Sequence, residues 1–330
     1  MQIRRLLFIL FSLSLAVPAA QAADLASGEV IGNVINYTVK KNEDLSTIAQ
    51  KFGVGIVELQ AANPGVNPWK PKPGTEITVG DMHLVPSITR EGIVINLETS
   101  RLFFFDGNGG TMSFPIASGK PGWETPVAAT KVFAKRKDPI WTPTDRIREE
   151  SPDLPDFIPA GPNNPLGKYA LSLGLNGIMI HGTNAPSSVG KKVSHGCMRM
   201  YSKDIERLFK AVKVGTPVLL MKTSYEMAWQ ENTLYLQLAP KIAKMKTDEA
   251  KYKPDLDLYA AIQKIAGQNA AIDWREVDAA RLRADGIPVA IGSRPEQPLY
   301  GPPAPASGTP EPPKPQRRAA LDFIRQAFLD

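Results

Sequence analysis

The middle of the chain is divided into short apolar segments, and this division limits its fold more than any other feature. From about Gly92, segments at 93–95, 102–105 and 113–117 are separated by glycine, asparagine and proline. Such short segments, bounded by turn-forming residues, are typical of β-strands and too short for helices. The sequence therefore predicts a mainly-β domain over about 90–222, closed by a strand at 217–221.

Three further elements are predicted inside this domain. Residues 139–165 carry many prolines, and we expect them to form a long surface loop that borders a binding cleft. Residues 177–180 read as a strand that ends at His181. Ser202 is expected to cap a helix over 203–212, because apolar residues recur there on one helical face.

The first 22 residues have the order of a secretory signal peptide. Arg4 and Arg5 precede an apolar run over 6–17, and Ala20-Gln21-Ala22 suits cleavage after Ala22. The run is too short to span a bilayer, and no later stretch of about 20 apolar residues occurs. We therefore expect an exported protein without a transmembrane segment.

Residues 35–80 read as strand, helix, helix, strand. Leu45, Ile48, Ala49 and Phe52 follow helical spacing, and Asn63-Pro64 stops the second helix. The segments YTVKKNEDLSTIAQKFGV, ELQAANP and KPGTEITV resemble the LysM module. That resemblance implies binding to the glycan strands of peptidoglycan, with a simple spacer as the alternative.

Beyond residue 222 the sequence predicts a small accessory region over 223–292. It should contain a hairpin over 225–238, with its turn at Glu231-Asn232, and helices over 256–266 and 274–284. Residues 293–315 are dense in proline and are expected to form an extended linker. Residues 316–330 suit a short amphipathic tail. This tail either packs as a helix on a partner or on the body of the protein, or it is a frayed end.

Cys197 is the sole cysteine, and two of the three histidines lie close to it in sequence. A thiol attacks as thiolate, and a nearby imidazole promotes this by stabilising the charge or by removing the proton. Either His181 or His195 could serve. Gly196 allows a tight turn that aims backbone amides at an oxyanion, and Arg199 could hold a substrate carboxylate or tie the loop to an acid.

A metal site and a nucleic-acid-binding site fit the sequence less well than a cysteine nucleophile. Two histidines and a cysteine could ligate zinc, but no fourth ligand is evident, so we expect no metal and no cofactor. The net charge of +6 is modest, and no dense lysine and arginine block with interleaved aromatics suggests nucleic acid. His83 lies between two modules with no evident partner, and we expect an exposed linker histidine.

The cluster around Cys197 resembles the YkuD-type L,D-transpeptidase family. The signature is His181 followed by Ser194-His195-Gly196-Cys197-Met198-Arg199, and IPAGPNNPLGKYALSLG, HGTN and Thr125-Pro126 extend it. The resemblance implies that His181 is the base, its ring held by a carbonyl near Gly182. It also implies an oxyanion site from His195, Gly196 and Cys197, in the loop that Ser194 begins, with Tyr169 and Asn184 as cleft walls.

The family resemblance also implies a reaction. Cys197 would attack the carbonyl of the third residue of a tetrapeptide stem, release D-alanine and pass the acyl group to an amine. The amine belongs to the diamino acid of another stem, giving a 3-3 cross-link, or to a lysine of an outer-membrane lipoprotein. Water as acceptor, giving a carboxypeptidase or amidase, and a non-catalytic wall-binding scaffold are the alternatives.

The segment YEMAWQENTLYLQLAP resembles the C-terminal part of the ErfK/YbiS/YcfS/YnhG branch of this family. That branch implies a Gram-negative envelope protein located in the periplasm. The fold expected from the whole sequence is α+β and multidomain. It comprises a βααβ LysM module, a mainly-β catalytic domain and a small C-terminal unit.

Overall fold

The computed structural model describes residues 29–241 and 258–295. The predicted signal peptide over 1–22 and the tail over 316–330 lie outside these residues, as does the proline-rich linker from residue 296 onward. Within the described part of the chain, no helix is long and apolar enough to cross a membrane.

The N-terminal unit pairs two strands across two short helices. Asp44 begins the first helix, because its carboxylate accepts from the amide of Thr47, and Gly53 ends it with a φ of 70°. Leu45 and Ile48 face the core between helices and strands. The elements are β1 (Val30–Ile31), β2 (Val34–Thr38), α1 (Leu45–Phe52), α2 (Ile56–Ala61), β3 (Glu76–Gly80) and β4 (His83–Leu84), with β2 antiparallel to β3.

The middle domain is built on one eight-stranded sheet with a separate parallel pair of short strands beside it. Its elements are β5 (Gly92–Asn96), β6 (Arg101–Phe105), β7 (Thr111–Pro115), β8 (Ser118–Gly119), β9 (Ala128–Lys137), α3 (Asp145–Glu150), β10 (Tyr169–Leu173), β11 (Met179–His181), β12 (Lys192–Ser194), β13 (Met198–Arg199), α4 (Ser202–Ala211) and β14 (Pro217–Met221). The order in the large sheet is β13-β11-β10-β9-β14-β5-β6-β7, and the separate pair is β8 with β12.

Two local predictions for this domain were wrong. Ser202 is the first residue of α4 rather than its cap, since Tyr201 holds the N-cap position without a side-chain bond to the helix. The loop over 139–165 is not wholly irregular, because α3 forms within it. Thr144 caps α3 by accepting from the amide of Ile147, a local signal that the proline content obscured.

The C-terminal unit is a four-stranded sheet, ordered β15-β16-β18-β17, covered by two helices. The predicted hairpin is present, and Glu231 in its turn has a φ of 53°. Met227, Leu234 and Ile262 lie in its core. The elements are β15 (Tyr225–Gln230), β16 (Thr233–Leu238), α5 (Leu258–Ala266), β17 (Ala271–Ile272), α6 (Trp274–Arg283) and β18 (Val289–Ser293).

His83 is buried at the junction of all three units, so the expectation of an exposed linker histidine was wrong. Its ring contacts the fully buried Arg101 of β6 and the side-chain amide of Gln237 of β16. Asp81 accepts from Arg101 at 2.9 Å, and Glu58 of α2 lies 3.8 Å from the same guanidinium. Burial and the charge of Arg101 lower the pKa of His83, so the ring is neutral at neutral pH.

The N-terminal unit packs directly on the middle domain. The amide of Ile56 donates to the carbonyl of Val189, and the hydroxyl of Tyr201 donates to the carbonyl of Val54. A Cβ atom on Gly190 would lie 2.8 Å from the Cα of Gly55, so the two backbones meet at a pair of glycines. The unit is therefore fixed against the loop that leads towards Cys197.

Candidate active site

Strand register brings His181, Arg199 and Cys197 to one side of the sheet. His181 of β11 is paired in parallel with Arg199 of β13. Cys197 lies two residues before Arg199, and side chains two apart on an extended chain point to the same face. All three residues line one cleft of about 800 Å³. The structure thus brings together the cysteine and the upstream histidine of the sequence motif.

The imidazole of His181 is held in one tautomer. Its Nδ1 lies 2.6 Å from the carbonyl oxygen of Gly182, and a carbonyl can only accept, so Nδ1 carries the proton. Burial lowers the pKa of His181 to about 4, and the nearby charge of Arg199 acts in the same direction. The ring is therefore neutral at pH 7, with Nε2 free to accept a proton.

The sulfur of Cys197 is half-buried at the edge of the cleft. Its Sγ donates to the carbonyl of Gly177 at 3.3 Å. Burial raises the pKa of the thiol, although a backbone hydrogen bond with Met179 and the charge of Arg199 oppose this effect. At neutral pH the site therefore holds a neutral thiol and a neutral imidazole. This pair suits proton transfer during attack rather than a preformed thiolate.

Two hydroxyl groups fix the peptide groups on either side of Cys197. The hydroxyl of Thr125 accepts from the amide of Gly119 and donates to the carbonyl of Gly196 at 2.8 Å. The hydroxyl of Ser194 donates to the carbonyl of Cys197 at 2.6 Å and accepts from the amide of Gly196. The loop around Cys197, residues 194–199, is therefore held by side chains as well as by its own backbone.

These bonds determine where the amide of Cys197 points. In a planar trans peptide the carbonyl and the next amide point in opposite directions, and the described residues contain no cis bond. Because the Gly196 carbonyl is turned towards Thr125, the Cys197 amide points away from it. Gly196 has a φ of 104°, and its own amide is used by Ser194. Gly196 thus supplies the turn, but its amide is not free to bind an oxyanion.

His195 also lines the cleft, but its ring has other partners. Its Nε2 lies 3.1 Å from a carboxylate oxygen of Glu150, and its ring packs edge-on against Trp123. The same carboxylate accepts from Lys120 and Trp123, and these bonds, that of Lys120 foremost, lower the pKa of Glu150 to about 2. Glu150 ends α3, so His195 joins the loop around Cys197 to the segment over 139–165.

The cleft carries an excess of positive charge. Three guanidinium groups line it, from Arg136, Arg146 and Arg199, whereas Glu124 is the one acidic residue among its lining residues in the described chain. Arg146 is held over the ring of Trp123, 3.6 Å from the centroid, and donates to the Gly122 carbonyl. This charge favours substrates that carry carboxylates.

The remaining predicted site residues divide into two groups. Asn184 lines the cleft, and its side-chain amide donates to the carbonyl of Asn163 at 2.9 Å. Tyr169 does not line the cleft. It lies in the core with its ring 4.8 Å from that of Phe209 of α4, because its position in β10 turns it to the helix-covered face. The prediction of Tyr169 as a wall residue was therefore wrong.

The roles of three candidate functional residues were not predicted from the sequence. Thr125 had a signal, since it belongs to the Thr-Pro pair of the motif, but its bond to Gly196 joins distant loops. Arg136 had none, because its place in the cleft depends on strand register. Trp69 of the N-terminal unit is 63% exposed beneath Lys191, and its Asn-Pro-Trp-Lys-Pro context marks only a turn.

Known proteins match the chain in two places and along most of its length. Residues 90–220 match the YkuD L,D-transpeptidase catalytic domain, and residues 37–80 match the LysM domain. The probable L,D-transpeptidase ErfK/SrfK of Escherichia coli K12 is 34% identical over 80% of this chain and 88% of its own. The probable L,D-transpeptidase YcfS of the same strain is 33% identical over 87% and 94%.

Among solved structures, the catalytic domain of the Enterococcus faecium L,D-transpeptidase is similar to 40% of this chain and 96% of its own. It is 25% identical, with a TM-score of 0.32. The two Escherichia coli relatives are matched over most of their length at more than 30% identity. On that ground, the chain belongs to the L,D-transpeptidase family of the YkuD type, with an N-terminal LysM domain.

Proposed function

We propose that this protein is a periplasmic L,D-transpeptidase of peptidoglycan that uses Cys197 as its nucleophile. One observation carries the proposal. His181 at the end of β11 and Cys197, directly before β13, line one cleft, and the Gly182 carbonyl leaves Nε2 of His181 as the proton acceptor. The donor is a tetrapeptide stem, and the reacting carbonyl belongs to its third residue.

In the first half of the reaction the sulfur of Cys197 attacks this carbonyl while Nε2 of His181 takes the thiol proton. The tetrahedral intermediate then collapses, the bond to the terminal D-alanine breaks, and imidazolium returns its proton to the departing amine. A thioester to Cys197 remains. Because thiol and imidazole both begin neutral, the charge separates only as the reaction proceeds.

The amide of Cys197 is the donor proposed for the oxyanion. Thr125 and Ser194 hold the two adjoining carbonyls, so this amide is fixed before substrate binds. Preorganised donors of this kind each lower a barrier by about 3 kcal/mol. The family resemblance implies an oxyanion site from His195, Gly196 and Cys197. The amide of Gly196 is bonded to Ser194, which leaves the amide of Cys197 for this role.

In the second half an amine attacks the thioester, and His181 accepts the proton that the amine loses. The thiol is regenerated and an amide bond forms. We propose the amine of a diamino acid in a second stem as acceptor, which gives a 3-3 cross-link. A lipoprotein lysine has the same nucleophilic group and is the second acceptor to test.

The N-terminal unit supports a wall substrate. The LysM domain match implies binding to peptidoglycan, and the exposed ring of Trp69 offers a flat apolar surface of the kind that stacks on sugars. Since this unit is fixed to the middle domain through Gly190, a bound glycan strand would be held near the cleft. The predicted signal peptide over 1–22 and the similarity to ErfK/SrfK and YcfS of Escherichia coli support the periplasm as the place of the reaction.

The test is product analysis with purified protein and disaccharide-tetrapeptide, comparing wild type with Cys197→Ala. We expect cross-linked dimers that have lost one D-alanine, formed by wild type alone. Tripeptides without dimers, also dependent on Cys197, would replace the proposal with a carboxypeptidase. No Cys197-dependent product, despite binding to intact peptidoglycan sacculi, would favour the scaffold.

A further inference from the structure

Four residues that pair across neighbouring strands form a row on the sheet, and one of them is His181, the proposed general base. Arg136 of β9 pairs with Ala170 of β10, Ala170 pairs with His181 of β11, and His181 pairs with Arg199 of β13. All four residues line the cleft. Directly paired residues share a face of a sheet, so the four side chains form one line on the cleft side.

The opposite face of the same strands confirms this orientation. Lys135, next to Arg136, donates to the carbonyls of Phe209 and Val212 at the end of α4. Tyr169, next to Ala170, packs on Phe209. Alternate residues thus face the helix, and the row faces the cleft.

Neither arginine of the row is neutralised. Within the described residues, no hydrogen bond or ion pair joins the guanidinium of Arg136 or that of Arg199 to an acidic side chain. Ala170 between Arg136 and His181 is small, so the surface between the two is left open for a ligand. An unpaired guanidinium that faces a binding cleft suits a carboxylate, which it can hold through two parallel hydrogen bonds.

In this row the guanidinium groups of Arg136 and Arg199 lie on opposite sides of His181. Neighbouring strands lie about 4.8 Å apart, so the backbone of Arg199 is about 5 Å from that of His181 and the backbone of Arg136 about 10 Å away on the other side. Arg199 lies beside Cys197 and can reach a carboxylate one residue from the scissile bond, that of the departing D-alanine. The acyl part of the donor then extends past His181, over Ala170, towards Arg136.

We infer that Arg136 binds a second carboxylate, carried by the side chain of the third residue of the donor. This inference rests on the proposed function and narrows its substrate class. The preferred donor contains a diamino acid with an acidic group at the end of its side chain rather than a simple lysine. Arg136 is then a specificity-determining residue for the first half of the reaction, in which the acyl group passes to Cys197.

The experiment compares two tetrapeptide donors that differ only at this group, one with the free side-chain carboxylate and one with its carboxamide. The side-chain amine of both donors is acetylated, so that neither donor can act as acceptor, and D-alanine release is followed under single-turnover conditions without any other amine. Only the first half of the reaction, the formation of the thioester on Cys197, then contributes. Variants are Arg136→Gln, Arg136→Lys, and Lys137→Gln as a matched control. Lys137 is adjacent on β9, carries the same charge and does not line the cleft.

Wild type should prefer the free carboxylate in kcat/KM by roughly tenfold or more, the size of a charge-assisted hydrogen bond. Arg136→Gln should reduce this preference towards one, chiefly through KM. Arg136→Lys should restore part of it, and Lys137→Gln should leave it intact.

Three results would overturn the inference. If Arg136→Gln lowered kcat/KM equally for both donors, the role of Arg136 would be structural and not the recognition of the carboxylate. Normal D-alanine release by Arg136→Gln, with impaired transfer once an amine is added, would assign the carboxylate to the acceptor. Failure of wild type to release D-alanine from either donor would instead refute the proposed function, and the inference with it.

Discussion

The hydroxyl of Thr125 donates a 2.8 Å hydrogen bond to the carbonyl of Gly196, 71 residues further along the chain. This bond joins the loop after β8 to the loop that carries Cys197, the proposed nucleophile. Since the Gly196 carbonyl and the Cys197 amide belong to one rigid peptide group, a side chain outside the motif's cysteine cluster fixes the direction of the amide.

Thr125→Val keeps the shape of the side chain but removes its hydroxyl. We expect kcat for D-alanine release to fall about tenfold or more with little change in KM, because an oxyanion donor acts in the transition state rather than on bound substrate. Thr125→Ser keeps the hydroxyl and should recover most of the rate. Unchanged kcat in the valine variant, or equal loss in the serine variant, would show that the bond does not position the amide.

The pH dependence of the first half of the reaction, in which D-alanine is released, follows from the neutral pair formed by the thiol of Cys197 and the imidazole of His181. His181 must be unprotonated to accept the thiol proton, and its folded pKa is about 4 rather than its ordinary 6.5. The kcat/KM for D-alanine release should therefore rise through pH 4 and be level by pH 6. Burial also raises the thiol pKa, so alkylation of Cys197 by iodoacetamide should accelerate only at alkaline pH.

Folding must be monitored in the same acid range. A histidine that is buried neutral loses stability for the fold as pH drops from its unfolded pKa of 6.5 towards about 4, because the unfolded chain binds the proton more readily. Circular dichroism at each pH separates this effect from catalysis. An acid limb near 6.5, shared by D-alanine release and alkylation, would indicate a preformed ion pair and contradict the neutral pair.

Glu150 links α3 to the nucleophile loop through Lys120, Trp123 and His195. Glu150→Gln should loosen the segment over 139–165, and trypsin should cut after Arg148 several times faster than in wild type. Glu149→Gln removes the same charge one residue away and serves as the control. Equal cleavage rates in the two variants would show that the carboxylate of Glu150 does not hold the segment.

The glycine contact between the first two units can be tested by stability. Gly190 and Gly74 have similar φ values, 91° and 86°, but a Cβ on Gly190 would strike the backbone of Ile56 and Gly55, whereas one on Gly74 meets open space. Gly74→Ala should cost about 1–2 kcal/mol from the left-handed backbone. Gly190→Ala should cost about 1–3 kcal/mol more from overpacking.

Thermal denaturation of both variants measures this difference. Equal decreases in the midpoint would mean that the N-terminal unit moves away from Gly190 at no cost, and that the two units are not fixed to one another.

Local patterns predicted the N-terminal unit and the strands well. Helix α1 follows from the spacing of Leu45, Ile48 and Ala49 with Asp44 before it, and all of these signals lie within a few residues. The hairpin of β15 and β16 is similarly local. The motif around Cys197 was visible for the same reason, because its chemical groups are close in sequence.

Features that depend on distant pairing could not be predicted. His83 looked isolated because its partners Arg101 and Gln237 belong to two other units. Tyr169 was assigned to the wrong face, since the face of a short strand is settled by what covers it. Arg136 enters the cleft only through the register of β9 on β10, which no single segment encodes.

In the proposed reaction the sulfur of Cys197 takes the acyl group of a tetrapeptide donor, and intact-protein mass spectrometry detects that acyl group. Protein is mixed with a donor whose side-chain amine is acetylated, so that no amine acceptor is present, and the protein is weighed after an acid quench. We expect wild type to gain the mass of the donor less D-alanine and Cys197→Ala to gain nothing. Digestion of the quenched wild type should place the added mass on the peptide that contains Cys197. D-Alanine release by wild type with no such adduct, or an equal adduct on Cys197→Ala, would show that the sulfur of Cys197 is not the nucleophile.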